Sequence, residues 1–323
     1  KINYEKNIGY GKCYSFYSNS KIKAIGQFNS SGDKDGTWKY FDEFGVPSSE
    51  ETLVNGKLNG PYIAYFSNGV MSDRYTMKDG KFTDTAYTYN VSGNIYGKIA
   101  YSNGVKNGAI ISYYDNGAVD FIGNYLNDKA DGTLKRYYLN GKLKAEENYK
   151  DDKLQGAYSS YFENGKVKSK GNYDKGMRTG KWEYFYENGK PSSVENYNQD
   201  GESDGTETAW YENGVTEYIE EYKNGNEAHY TRFDEDGKKY YEMTFEDEGK
   251  LSSWNFYNKV GELLKENKIN SSGQSTVSGF YPTGEKWFTG FTLRNKRDGE
   301  WNYFYLNGLP DYTTNYVDGY QVE

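Results

Sequence analysis

One pattern constrains this chain more than any other: a unit of about 24 residues recurs from end to end. Counted from a leading small residue, the units start at Gly11, Gly36, Gly60, Asp84, Gly108, Gly132, Gly156, Gly180, Gly205, Ala228, Ser252, Ser275 and Gly299. From Gly36 to Gly180 the spacing is 24 each time, and elsewhere 23 to 25, which makes 13 units. Such a chain stacks supersecondary units into one object, so 323 residues read as a single array rather than two globular domains. Residues 1–10 resemble the back half of a further unit, because Tyr4 precedes Gly11 by seven as Tyr173 precedes Gly180. Residues 11–227 are regular, 228–298 diverge, and 299–323 form the C-terminal repeat.

With the leading residue as position zero, position five is aromatic in every unit: Phe16, Phe41, Tyr65, Tyr89, Tyr113, Tyr137, Tyr161, Phe185, Trp210, Phe233, Tyr257, Phe280 and Phe304. Position nine is glycine from Gly45 to Gly308, and Ser20 in the first unit. Two aromatic-rich runs about a glycine turn predict a β-hairpin. No 3.6-residue period supports helix. Phe44, Val260 and Thr283 precede the glycine in three units, and bulky or β-branched residues resist positive φ. With Pro282 two before Gly284, this predicts a type I turn followed by a left-handed glycine, a three-residue loop.

That register pairs position five with position eleven, which holds Ile22, Met71, Ile95, Val119, Leu143, Val167 and Leu263, with Pro47, Pro191 and Pro310 elsewhere. Simple alternation adds the aromatic at position seventeen, such as Phe28, Tyr125, Tyr173 and Tyr316, to the same face. This row is the expected core. The opposite face then carries Trp38, Tyr62, Tyr158, Trp182, Trp254 and Trp301 at position two. It also carries Tyr114, Tyr138, Tyr186, Tyr211 and Tyr305 at position six. Short links predict an all-β antiparallel meander, elongated and twisted, advancing roughly 10 Å per unit.

Composition fits a thin aromatic core. Mean hydropathy is −1.02, yet 18% of residues are aromatic, and a tyrosine ring can be buried with its hydroxyl wet. The net charge of −8, with dispersed Lys and Arg, leaves no basic stripe for nucleic acid. No apolar run approaches the length of a membrane-spanning helix. Cys13 is the single cysteine and His229 the single histidine, so a disulfide framework and a Cys/His zinc site are excluded. His229 lies between Ala228 and Tyr230 and reads as an exposed strand histidine, not as a catalytic base. The acidic runs Asp234-Glu235-Asp236 and Glu246-Asp247-Glu248 do not have the spacing of an EF-hand loop, and read as solvated turn charge. No catalytic residue, metal or cofactor is expected.

The stretch Asp35 to Phe41 and its clearer copies, Gly180 to Lys190 and Gly156 to Tyr173, resemble the bacterial MORN-repeat variant, a family that includes antitoxin-like proteins. The resemblance implies tandem β-hairpins, an elongated sheet and protein–protein interaction. It implies a secreted or surface bacterial protein, or a cytoplasmic one where the member is an antitoxin. Lys1 opens the chain without methionine, as a processed exported form or an artificially trimmed chain would. The Gly-x-Trp-x-Tyr-Phe run is also similar to the hairpins of choline- and glucan-binding cell-wall modules, whose repeats are nearer 20 residues.

Three binding readings follow. A scaffold contacting a protein through the position-two and position-six rings comes first, since Tyr and Trp are enriched at interface hot spots. An antitoxin neutralising a cognate toxin is one form of it. Glycan stacking on the aromatic rows comes second. Membrane-surface attachment comes third and is disfavoured by the acidic balance. An enzyme is the poorest reading, because the carboxylates fall in turns and no motif pairs them.

Overall fold

The computed structural model describes residues 3–5, 8–246, 249–270 and 272–322. The chain divides into two compact units, residues 1–156 and 157–323. Both are built of antiparallel hairpins, and no α-helix occurs among the described residues. Asn3–Glu5 pairs with the start of Ile8–Phe16, as a partial leading unit requires.

The hairpin turn follows from the sequence. In the strand pair Lys34–Phe41 and Pro47–Val54, the Gly45 amide donates to the Asp42 carbonyl at 3.0 Å and the Asp42 amide to Val46 at 2.9 Å. Gly45 has φ +88°, the left-handed region where a side chain is strained. The same bonds recur at the turns ending at Gly69, Gly117, Gly189 and Gly308. Position five pairs with position eleven as expected: Phe16 with Ile22, Phe41 with Pro47, Tyr65 with Met71, Phe304 with Pro310. Most links between repeats are two-residue turns with both residues at positive φ, such as Asn55-Gly56, which matches the twist of the flanking strands.

One step further from the turn the register departs from simple alternation. Position four pairs with position thirteen, not twelve: Ser15 with Ala24, Tyr40 with Ser49, Tyr184 with Ser193. A β-bulge leaves position twelve unpaired and shifts the second strand's alternation by one. Positions thirteen, fifteen and seventeen therefore join positions zero, two and four. The expected core row is corrected accordingly. The aromatics at seventeen pack against the rings at position two: Phe28 lies 5.1 Å from Trp38, Tyr173 5.0 Å from Trp182, and Tyr316 6.1 Å from Trp301, each edge-on.

This face holds the core in both units. In residues 1–156 the buried cluster is Cys13, Ala24, Trp38 and Leu53. In residues 157–323 it is Phe256, Ile269, Val277, Phe288 and Trp301. The second cluster spans the break between the two sheets, from Leu263–Lys268 to Ser275–Phe280. There the buried Asn267 substitutes for backbone. Its amide donates to the Trp254 and Ser278 carbonyls, and its carbonyl accepts the Ser278 amide.

Candidate functional site: an open trough on the aromatic face

At three of the four tryptophans in position two, the face is closed by a repeated arrangement. The Trp38, Trp182 and Trp301 rings lie on Gly26, Gly171 and Gly290, where an added Cβ would come within 2.1 to 2.3 Å of the indole. Each indole N–H donates to the carbonyl just past that glycine, of Gln27, Asn172 and Phe291, at 3.1, 3.2 and 3.1 Å. A cation four residues earlier covers each ring: Lys34, Arg178 and Arg297, at 4.7, 4.7 and 4.8 Å from the centroid. A tyrosine two residues later extends the layer. Tyr184 donates to Glu195 at 2.9 Å, and Tyr40 donates to Glu51.

The sequence-predicted contact residues are placed as follows. Trp38, Trp182 and Trp301 are buried, Trp182 and Trp301 at 1% exposure, so their expected role as a contact surface is corrected to core. Tyr62 stacks on Tyr75 at 4.6 Å. Tyr158 packs against Tyr173 and Trp182. Trp254 is half-buried against Phe256 and Phe288. At position six, the Tyr114, Tyr186 and Tyr211 hydroxyls donate to the position-five carbonyls of the next repeat, Tyr137, Trp210 and Phe233, at 2.7, 2.6 and 2.9 Å. These tyrosines stitch repeat to repeat. Tyr138 is half-buried. Tyr305 is 52% exposed, with Asp311 beside its hydroxyl.

The turn asparagines stitch as well. Asn19, Asn68, Asn164 and Asn213 donate to carbonyls of the following turn, at Glu43, Val91, Glu187 and Glu235. His229 is half-buried, not exposed, with its ring 3.0 Å from the Thr231 hydroxyl and near that of Thr244. Asp234 uses Oδ1 to accept the Asp236 and Lys238 amides. Of the second acidic run, Asp247 and Glu248 lie outside the described residues.

In the middle of residues 1–156 the closed arrangement is absent. Position two holds Ala86, Ile110 and Leu134, and position four holds Thr88, Ser112 and Arg136. No described side chain from residue 54 to residue 144 is fully buried. The missing rings leave a trough of about 340 Å³ with Ala86, Ile99 and Ile110 on its floor and Tyr75, Phe82, Tyr101 and Phe121 as walls. A second hollow of about 250 Å³ shares Ile110 and Phe121 and continues to Leu134, Arg136 and Tyr149. One wall is a run of rings, Tyr62, Tyr75, Phe82 and Tyr101, with successive centroids 4.6, 4.8 and 4.8 Å apart. Burial, reinforced by Tyr62 and Asp73, pushes the Tyr75 hydroxyl up to about 12, so it stays neutral. An apolar hollow with a few polar groups at its rim is the usual form of a binding site. Sequence reasoning missed it. The signal was the loss of the position-two ring in three consecutive units.

Fold and face together define a tandem β-hairpin repeat protein with an open apolar section. Residues 34–55, 130–151, 154–175, 178–199, 203–224 and 226–247 match the family described as the MORN repeat variant, so the chain carries six matches to that repeat. No curated protein matches it. Among solved structures it is similar to TcdB2-TccC3 lacking the hypervariable C-terminal region, at 10% identity and a TM-score of 0.18, covering 94% of this chain and 20% of that one. It is also similar to a Photorhabdus luminescens Tc holotoxin pore, at 12% identity and a TM-score of 0.18, covering 95% and 17%. This chain thus spans about a fifth of the length of each, and likenesses this loose carry nothing about function. No helix among the described residues is long and apolar enough to cross a membrane.

Proposed function

We propose that this chain is a non-enzymatic scaffold that binds another protein, and that the trough over Ala86 and Ile110 receives it. The supporting observation is the contrast within one face. Within residues 1–156 the same repeat position is closed by an indole at Trp38, yet left open at Ala86 and Ile110. Leaving apolar walls uncovered costs about 25 cal/mol per Å² and gives a folded chain nothing by itself. Within the aromatic rows, Trp38, Trp182 and Trp301 are buried and offer no ring face for sugar stacking.

A photocrosslinking residue placed at Thr88, which is exposed at the trough, tests the reading. The control position is Val260, 72% exposed at a turn. In extract from the source cells, a protein adduct is expected from Thr88 and not from Val260. Equal labelling at both positions, or none at Thr88, would overturn the proposal.

A further inference from the structure

The trough carries charge information as well as shape. On this face in residues 1–156, most carboxylates and cations are matched. Glu51 lies 3.8 Å from Lys34, and Glu147 3.0 Å from Arg136. Two groups are not. The Asp73 carboxylate lines the trough, and its bond among the described residues is to the neighbouring Ser72 hydroxyl at 2.7 Å, with no cation. Lys106 lies over the Tyr125 ring at 5.1 Å, beside the second hollow, and makes no ion pair among the described residues. Asp73 belongs to strand Met71–Lys78 and Lys106 to strand Val105–Tyr113, three strands further on. Three strand spacings are about 14 Å, and Lys106 pairs with Tyr101, four residues along from Gly97, which is level with Asp73 through Thr88. That offset adds about 13 Å along the strands, so the two groups lie about 19 Å apart, which an extended peptide covers in about six residues.

We infer that the trough takes an extended segment of a partner protein that carries one aromatic side chain between a basic and an acidic residue. The inference rests on the protein-binding reading given above. The aromatic side chain fills the space left where Ala86 and Thr88 stand in place of a Trp-x-Tyr pair, against the Tyr75, Phe82 and Tyr101 rings. Offset or edge-on ring contacts of this kind contribute beyond the area they bury. The basic residue meets Asp73 and the acidic residue meets Lys106. Such pairs fix register and reject partners of the wrong charge more than they add affinity.

Selection of random peptides displayed on phage against the immobilised full chain tests this. Recovered peptides are expected to share one aromatic residue, with Lys or Arg on one side and Asp or Glu on the other. On Asp73→Lys the basic preference is expected to turn acidic while the aromatic is kept. On Thr88→Arg, which copies the residue naturally present at the same position two units later, recovery of aromatic peptides is expected to fall at least about tenfold. Far-UV circular dichroism on each variant confirms that it is folded.

Failure to enrich any peptide, or survival of the same peptides on Thr88→Arg, would overturn the inference. An aromatic preference whose flanking charges ignore Asp73→Lys would overturn the assigned occupant and leave the trough itself as a binding site. Loss of the Thr88 crosslink, by contrast, removes the protein-binding reading whatever the peptides show.

Discussion

At Gly171 there is room for a hydrogen and little else, because a Cβ would lie 2.3 Å from the Trp182 ring. Gly171→Ala is therefore expected to destabilise its unit by about 2 kcal/mol, read from the urea midpoint at unchanged slope. Gly117→Ala is the matched control. No atom lies within 4 Å of its added Cβ, and its only penalty is a φ of +84°, about 1 kcal/mol. Equal effects at the two sites would mean the indole is not seated on Gly171. The tyrosine stitch makes a second contrast. Tyr186→Phe deletes the bond to the Trp210 carbonyl and is expected to cost about 1 kcal/mol. Tyr305→Phe, at an exposed hydroxyl, is expected to change stability by less than about 0.5 kcal/mol. The turn glycine and the aromatic at position five could be read from the sequence because each is set by one local requirement, positive φ or a cross-strand partner. The seats under the indoles could not. Gly26 and Gly171 differ from a strand residue only through a ring eleven or twelve positions away.

At the scale of the strand, the bulge was the hidden element. Position twelve holds Lys23, Ser48, Tyr96, Asp120 and Trp287, a set with no common chemistry, so nothing local announces that it is skipped. The small residues at position thirteen, Ala24, Ser49, Gly97, Ala145 and Ser169, were the available clue, since they back the core. The corrected face also brings Glu207, on strand Gly205–Trp210, directly opposite Glu220, on Thr216–Lys223. Tyr218 donates to Glu207 at 2.6 Å, and Tyr222, Glu227 and Tyr230 complete the surroundings of Glu220. Burial, then the neighbouring carboxylates, raise Glu220 to about 7 against the hydrogen bond from Tyr222 that lowers it.

The sign follows from proton counts. Between an unfolded value of about 4.5 and about 7, the folded chain holds the proton and the unfolded chain does not, so stability falls as pH rises through this window. Glu220→Gln removes the titration. It is expected to leave stability near pH 4 unchanged and to add about 1 kcal/mol at pH 8, after discounting for solvent screening. A wild-type melting temperature that is flat from pH 4 to pH 8, with no gain in the variant at pH 8, would refute this.

For the molecule as a whole, stability is a sum of repeat and neighbour contributions rather than one global value. In residues 1–156 those contributions are uneven. Cys13, Ala24, Trp38 and Leu53 are buried, then no side chain reaches that level until Ala145. Fully burying one large apolar side chain contributes roughly 1.5–3 kcal/mol, so the section around Ala86 and Ile110 should open locally at lower cost than its flanks. Native-state hydrogen exchange measures this directly. Amides of the paired strands Lys81–Tyr89, Ile95–Ser102 and Val105–Tyr113 are expected to exchange at least about tenfold faster than those of Lys34–Phe41 and Met177–Phe185. A segment bound in the trough would supply the missing ring and should slow exchange in those three strands while leaving the others unchanged. Uniform protection across the five strands would mean that the hairpin ladder alone sets local stability. The open section would then be no weaker than its neighbours, and occupancy would have little left to stabilise.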